Sequence, residues 1–118
     1  MKKNYIQNLN LEDWEDYVKV FEALSNPIRI KILGTLLDNR LNVSELARIL
    51  NISRPLLYLH LKKLEAARFI KGHAEVSDTG KAMKYYTVSD FSFDITSELI
   101  TKLSKTIEVE QRANNNKE

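Results

Sequence analysis

The apolar residues recur with one period up to about Arg68 and with another over the twenty residues that follow. Trp14, Val18, Phe21 and Leu24 are spaced by four, three and three, which predicts an amphipathic helix over 10–25. Asn10 offers an N-cap, and Glu12 and Asp13 sit where the helix dipole favours negative charge. Residues 1–9 show no period and read as a loose arm. Asn26-Pro27 restarts a helix, with asparagine as cap and proline where no N–H partner is needed. Ile28, Ile30, Ile32, Leu33, Leu36 and Leu37 then leave almost no polar side, the pattern of a helix central to a core. Asp38-Asn39-Arg40 reads as a turn.

Residues 43–68 form the most informative segment. Asn42 and Glu45 make a capping-box pair opening a helix with Leu46, Ala47 and Leu50 on one face. Asn51 tolerates the left-handed conformation in which that helix must end. Ser53 caps the next helix, Pro55 falls harmlessly in its first turn, and Leu57, Leu61 and Leu64 share its core face. This is the pattern of a helix-turn-helix, whose second helix enters the major groove of duplex DNA. The period then becomes that of strands at Ile70–Ser77 and Met83–Val88, joined by the turn residues Asp78-Thr79-Gly80-Lys81. A hairpin at 70–88 directly after the motif is a wing. Ser92 opens a last helix over 92–111, predicted by Ile95, Leu99, Leu103 and Ile107 at intervals of four, and residues 112–118 read as a disordered polar tail. The fold expected is mainly α with a small β-hairpin: one winged helix-turn-helix domain over 1–118, with flanking N- and C-terminal dimerisation helices.

Composition narrows the function. At 43% apolar residues, 118 residues suffice for a modest core. With no cysteine, disulfides, thiolate metal sites and a cysteine nucleophile are all excluded. No apolar run approaches a membrane span and no hydrophobic stretch follows the charged N-terminus, so no membrane partner is expected and the cytoplasm is. Three separated glycines and no Ser-His-Asp spacing leave no phosphate loop or triad, which argues against an enzyme. The chain carries +2 overall, but residues 53–88 hold seven basic and three acidic side chains. A polyanion would therefore dock on the second helix of the motif and the hairpin.

Candidate DNA contacts follow from that placement, each with a plainer alternative. Arg54 can bridge the O6 and N7 acceptors of guanine, or meet a phosphate. Ser53 stands beside it at the helix start. Leu56 can pack on a thymine methyl or on protein, whereas Leu59 is expected to pack on protein. Tyr58 can donate to a phosphate or stack at the core rim. Lys62 and Lys63 suit backbone contacts. In the wing, Lys71, His73, Lys81 and Lys84 are candidates for phosphates or the minor groove. A run of charge is ordinarily a solvated face, so these assignments rest on the fold.

The first and last helices carry apolar stripes that a small core covers only in part. Pairing across a two-fold axis resolves this, with Trp14, Val18, Phe21, Leu99, Leu103 and Ile107 as candidate dimer contacts. The alternative is that the stripes fold back on their own domain. A homodimer would set two reading helices about 34 Å apart and predict a near-palindromic site.

With the motifs placed, the chain resembles the ArsR/SmtB-like winged-helix repressors. The likeness is carried by Leu24-Ser25-Asn26-Pro27-Ile28-Arg29-Ile30-Lys31-Ile32-Leu33, by Val43-Ser44-Glu45-Leu46-Ala47, by Leu57-Tyr58-Leu59-His60-Leu61-Lys62-Lys63-Leu64 and by Tyr85-Tyr86. It implies a homodimeric repressor of double-stranded DNA, with a small-molecule effector able to shift the dimer between tight and weak binding geometries. It also makes His60 a partly buried, hydrogen-bonded brace. Two departures matter. Asn42 and Ser44 stand where many metal sensors have Cys-x-Cys, and the last helix offers Asp94, Glu98, Glu108 and Glu110 but no histidine. Thiolate- and imidazole-binding metals lack their ligands here, so neither a metal nor another cofactor is carried over. A MarR-like winged helix is a related form, but its longer lead-in before the motif is missing. A protein-interaction module, with Leu56 and Leu59 as its patch, is the competing function.

Overall fold

The computed structural model describes residues 5–6, 11 and 13–115, with side-chain environments for 11 and 13–107. Helix starts follow the local capping chemistry. In α2 (Pro27–Asp38) the Asn26 Oδ1 accepts from Ile28 N at 2.8 Å and Arg29 N at 3.4 Å. In α3 (Val43–Leu50) Asn42 Oδ1 accepts from Glu45 N at 2.9 Å, while Glu45 Oε1 accepts from Asn42 N at 3.0 Å. Ser53 Oγ accepts from Leu56 N at 3.3 Å to open α4 (Arg54–Ala66).

Helix ends are equally local. Asn51 adopts φ 55° after α3, and Ile52 N reaches back to Ala47 O at 3.1 Å. Arg68 does the same at φ 65° after α4, where Phe69 N donates to Leu64 O at 3.0 Å. Both are Schellman-type stops without the usual glycine, the first on an asparagine and the second on an arginine.

The core gathers where α1 (Trp14–Leu24), α2 and α4 meet. Val20, Ile32, Leu46, Leu57, Leu61, Leu64 and Phe69 are fully buried. Phe69 meets Phe91 edge-on, with ring centroids 4.8 Å apart. A hairpin follows α4: β2 (Ile70–Val76) pairs antiparallel with β3 (Ala82–Val88), in a register running from Ile70 opposite Val88 to Val76 opposite Ala82. Asn42 adds a single bridge to the outer side of β3 at Tyr85. Gly80, at φ 84°, closes the loop by donating to Ser77 O at 2.9 Å.

Several expectations need correction. The first helix begins at Trp14 with Asp13 as its N-cap, and Asn10 lies outside the described residues. Part of the expected arm is a strand: β1 (Tyr5–Ile6) pairs with β4 (Phe91–Ser92). Ser92 is thus in a strand, and α5 runs over Ser97–Asn115. Thr96 opens it instead, its Oγ1 accepting from Leu99 N at 3.1 Å. The helix also continues four residues into the segment expected to be disordered, of which 116–118 lie outside the described residues. Finally, α2 is not enclosed on all sides. Ile32, Leu33 and Leu36 are buried, but Ile30 and Leu37 lie in solvent, because α1, α4 and β3 leave that side of the helix uncovered.

Candidate nucleic-acid interface

α4 is anchored by one side and bare on the opposite one. Leu57, His60, Leu61 and Leu64 are buried. At 3.6 residues per turn, Pro55, Leu59, Lys62 and Ala66 form the opposite ridge, and all four are exposed. Leu56 and Lys63 flank the ridge on one side, Arg54 and Tyr58 on the side of the hairpin. Leu59 is 63% exposed. The expectation that it packs on protein is therefore wrong, because α3 and the hairpin lie along the other sides of the helix. Leu56 is exposed as well.

Between α3, the start of α4 and the hairpin lies an open cleft of about 460 Å³. Arg48, Arg54, Lys81 and Lys84 line it, together with Ser44, Tyr58 and Glu45. The Glu45 carboxylate accepts from the Asn42 backbone N–H in the capping box, and the four basic side chains outnumber it, so the cleft is cationic in character. Arg54 donates to the Ser44 hydroxyl, so its guanidinium is turned into the cleft and not along the ridge. Ser53 is committed to capping. The structure thus brings Arg54, Tyr58, Lys81 and Lys84 together. Sequence reasoning missed Arg48 and Ser44, which share a face of α3 by their spacing of four; that spacing was the available signal.

Strand alternation divides the other wing candidates. Lys84, Tyr86 and Gly72 share one face of the hairpin. Tyr86 is buried there near Tyr58 and Glu65, and burial raises its phenol above the usual value. A Cβ at Gly72 would stand 2.8 Å from the Tyr86 ring and 2.9 Å from Lys84 Cε, so glycine gives these two side chains room to cross the strand. Lys71 and His73 face the other way. Lys71 sits at the base of the hairpin beside Glu65, Arg68 and Thr87. His73 bonds Glu75 at 3.0 Å and stacks on Tyr85, while Arg40 pairs with Glu75 and lies 4.0 Å over the Tyr85 ring. His73 is occupied in tying the α2–α3 loop to the wing and does not line the cleft.

A second contact network fixes α4 from behind. Arg29 donates Nε to Ala23 O and Nη2 to Glu22 O, each at 2.9 Å, and lies 3.2 Å from His60 Nδ1 through Nη1. A guanidinium only donates, so His60 accepts through Nδ1 and is neutral. Burial, and then the Arg29 charge, lower its pKa. The expected brace is present, and its partner is the arginine that follows the Asn-Pro helix start.

At the other end of the molecule, α1 and α5 border an apolar groove of about 450 Å³, lined by Trp14, Val18, Phe21, Ile100, Leu103, Ser104 and Ile107. Five of the six expected dimer contacts are here. Leu99 is half-buried against the core, and Leu103 is itself buried within the protomer. Ile100 lines the groove where Leu99 was expected, and Ile95 precedes the helix. Among the described residues, no cluster of three histidines or carboxylates could hold a metal ion, and no helix is long and apolar enough to cross a membrane.

These elements define a winged helix-turn-helix DNA-binding protein. Residues 26–71 match the family described as bacterial regulatory protein, arsR family. A protein of Methanocaldococcus jannaschii, described as an uncharacterized HTH-type transcriptional regulator, is 46% identical over 88 residues, spanning 75% of this chain and 92% of that one. The transcriptional repressor SdpR of Bacillus subtilis is 39% identical over 54 residues, 46% of this chain and 60% of that one. Reduced HlyU from Vibrio cholerae superposes with a TM-score of 0.55 at 28% identity, over 84% of this chain and 88% of that one. The chain belongs to the arsR family and is a transcriptional regulator with a DNA-binding helix-turn-helix, not an enzyme.

Proposed function

We propose that the protein is a cytoplasmic, homodimeric repressor that binds a near-palindromic double-stranded operator. The carrying observation is the cationic cleft of Arg48, Arg54, Lys81 and Lys84 beside the exposed ridge of α4. A helix 10–12 Å across fits a major groove about 12 Å wide, and the cleft then faces the adjoining phosphates. Arg54, Lys81, Lys84 and Tyr58 serve as phosphate contacts, with Lys62 and Lys63 along the helix.

The α1–α5 groove supports dimerisation. The radius of gyration is 17.6 Å, against about 13.5 Å for a compact chain of this length, so a protomer leaves surface that a second copy can cover. SdpR carries the description of a repressor, which supports repression by promoter occlusion. An effector would act by shifting the angle between the two reading helices.

Mobility shift of a duplex from the region upstream of the protein's own gene tests the reading, with the dimer confirmed by sedimentation. Retardation that weakens steeply with added salt is expected, since phosphate contacts release counterions. No retarded band at low salt would overturn it. Salt-insensitive binding to a protein through Leu56 and Leu59 would favour an interaction module instead.

A further inference from the structure

The exposed ridge of α4 is unusual in its chemistry. A guanine edge is read by a donor such as Arg or Lys, adenine by Asn or Gln, and cytosine by a carboxylate, whereas the thymine methyl is met by apolar carbon. α4 contains no Asn, Gln or Asp, and its one carboxylate, Glu65, stands in the last turn at the base of the hairpin beside Arg68 and Lys71. Arg54 is turned into the cleft by Ser44, and Ser53 caps the helix. The large apolar side chain at the middle of the outward ridge is Leu59, 63% exposed, with Leu56 at 39% three residues earlier. Lys62 and Lys63 follow in the next turn, and the cationic cleft adjoins the helix start. An apolar patch framed by cations suits a surface that is greasy in the middle and anionic at its edges. A major groove carrying methyl groups between two phosphate backbones has that character.

We infer that Leu59, assisted by Leu56, is a specificity-determining residue that reads thymine methyl groups, so that each operator half-site carries thymine opposite the middle of α4. This rests on the DNA-binding reading above and adds the base that is read. Tyr58 and the lysines position the helix on the backbone, and direct readout at the centre of the half-site is apolar.

The test starts by selecting sites from random duplexes with the full chain, which should enrich thymine at one or two positions per half-site. Replacing those thymines by deoxyuridine removes only the methyl. It should weaken wild-type binding about fourfold per methyl, the worth of one buried carbon. L59A, a change at an exposed position, should lose most of the difference between thymine and uracil duplexes, and L56A should lose the smaller remainder. A 5-methylcytosine placed at the same position should regain part of the affinity lost on changing thymine to cytosine. Equal wild-type binding to thymine and uracil sites, or an unchanged thymine preference in L59A, would overturn the inference and leave DNA binding standing. Absence of any binding at low salt would overturn both.

Discussion

The α1–α5 groove and the outward ridge of α4 both leave apolar side chains uncovered, but their borders differ. Among the described residues no ionisable side chain lines the groove around Trp14, Phe21 and Ile100, whereas Leu59 is followed in the next turn by two lysines and lies near a cleft holding four cations. Exposure alone therefore does not name a partner; the surrounding charge does. A neutral apolar seam suits a second copy of the same seam. An apolar strip bordered by cations suits duplex DNA.

The most severe way to break the comparison is I100D. Ile100 is 49% exposed in the protomer, so the fold should persist. In a paired seam an unpartnered carboxylate would cost several kcal/mol. Sedimentation should show a monomer, and operator affinity should fall by about a hundredfold or more. A variant that stays dimeric would move the interface elsewhere.

R54A comes next, at about 1.5–3 kcal/mol of binding, the worth of a hydrogen bond to a charged group. With its guanidinium in the cleft, the loss should fall equally on operator and random duplex. A loss confined to one base pair would make Arg54 a base reader. K81A and K84A should each flatten the salt dependence by about one contact. K71A, on the opposite face of the hairpin, should change it less.

The smallest effect is on stability and pH. The folded pKa of His60 is lowered from 6.5 by burial and Arg29. The unfolded chain thus takes up the proton first. The stability this residue supplies is complete above about 6.5 and declines as pH falls through its folded value. Urea melts between pH 7.5 and 5 should show this decline, and H60Q should remove it. Arg40 holds the Glu75 carboxyl below its ordinary value. That contribution is lost only at more acidic pH, which separates the wing tie from the α4 brace.

Local chemistry is legible in the sequence. The caps at Asn26, Asn42 and Ser53 and the left-handed stop at Asn51 depend on atoms within a few residues of one another. So does the division of the hairpin by Gly80. Periodicity identified Leu57, Leu61 and Leu64 as the buried side of α4 for the same reason. The ends of the chain were less legible. Ser92 is a plausible cap, but β4 pairs with residues 5–6, a contact across more than eighty positions that no local pattern encodes. The candidate site divided along the same line. The sequence marked Arg54, Lys81 and Lys84 as basic, but only packing put them in one cleft with Arg48, turned Arg54 toward Ser44, and sent Lys71 and His73 to the other face.

The sequence by itself determined where helices start and stop, which side of each short helix is apolar, and which part of the chain is cationic, because these depend on near neighbours and on composition. Tertiary structure decided which apolar side chains stay uncovered. Leu59 and Ile30 are as hydrophobic as Leu61 and Ile32. What separates the members of each pair is the position of the neighbouring helices and hairpin, which is fixed by long-range packing and not by any property of the residue.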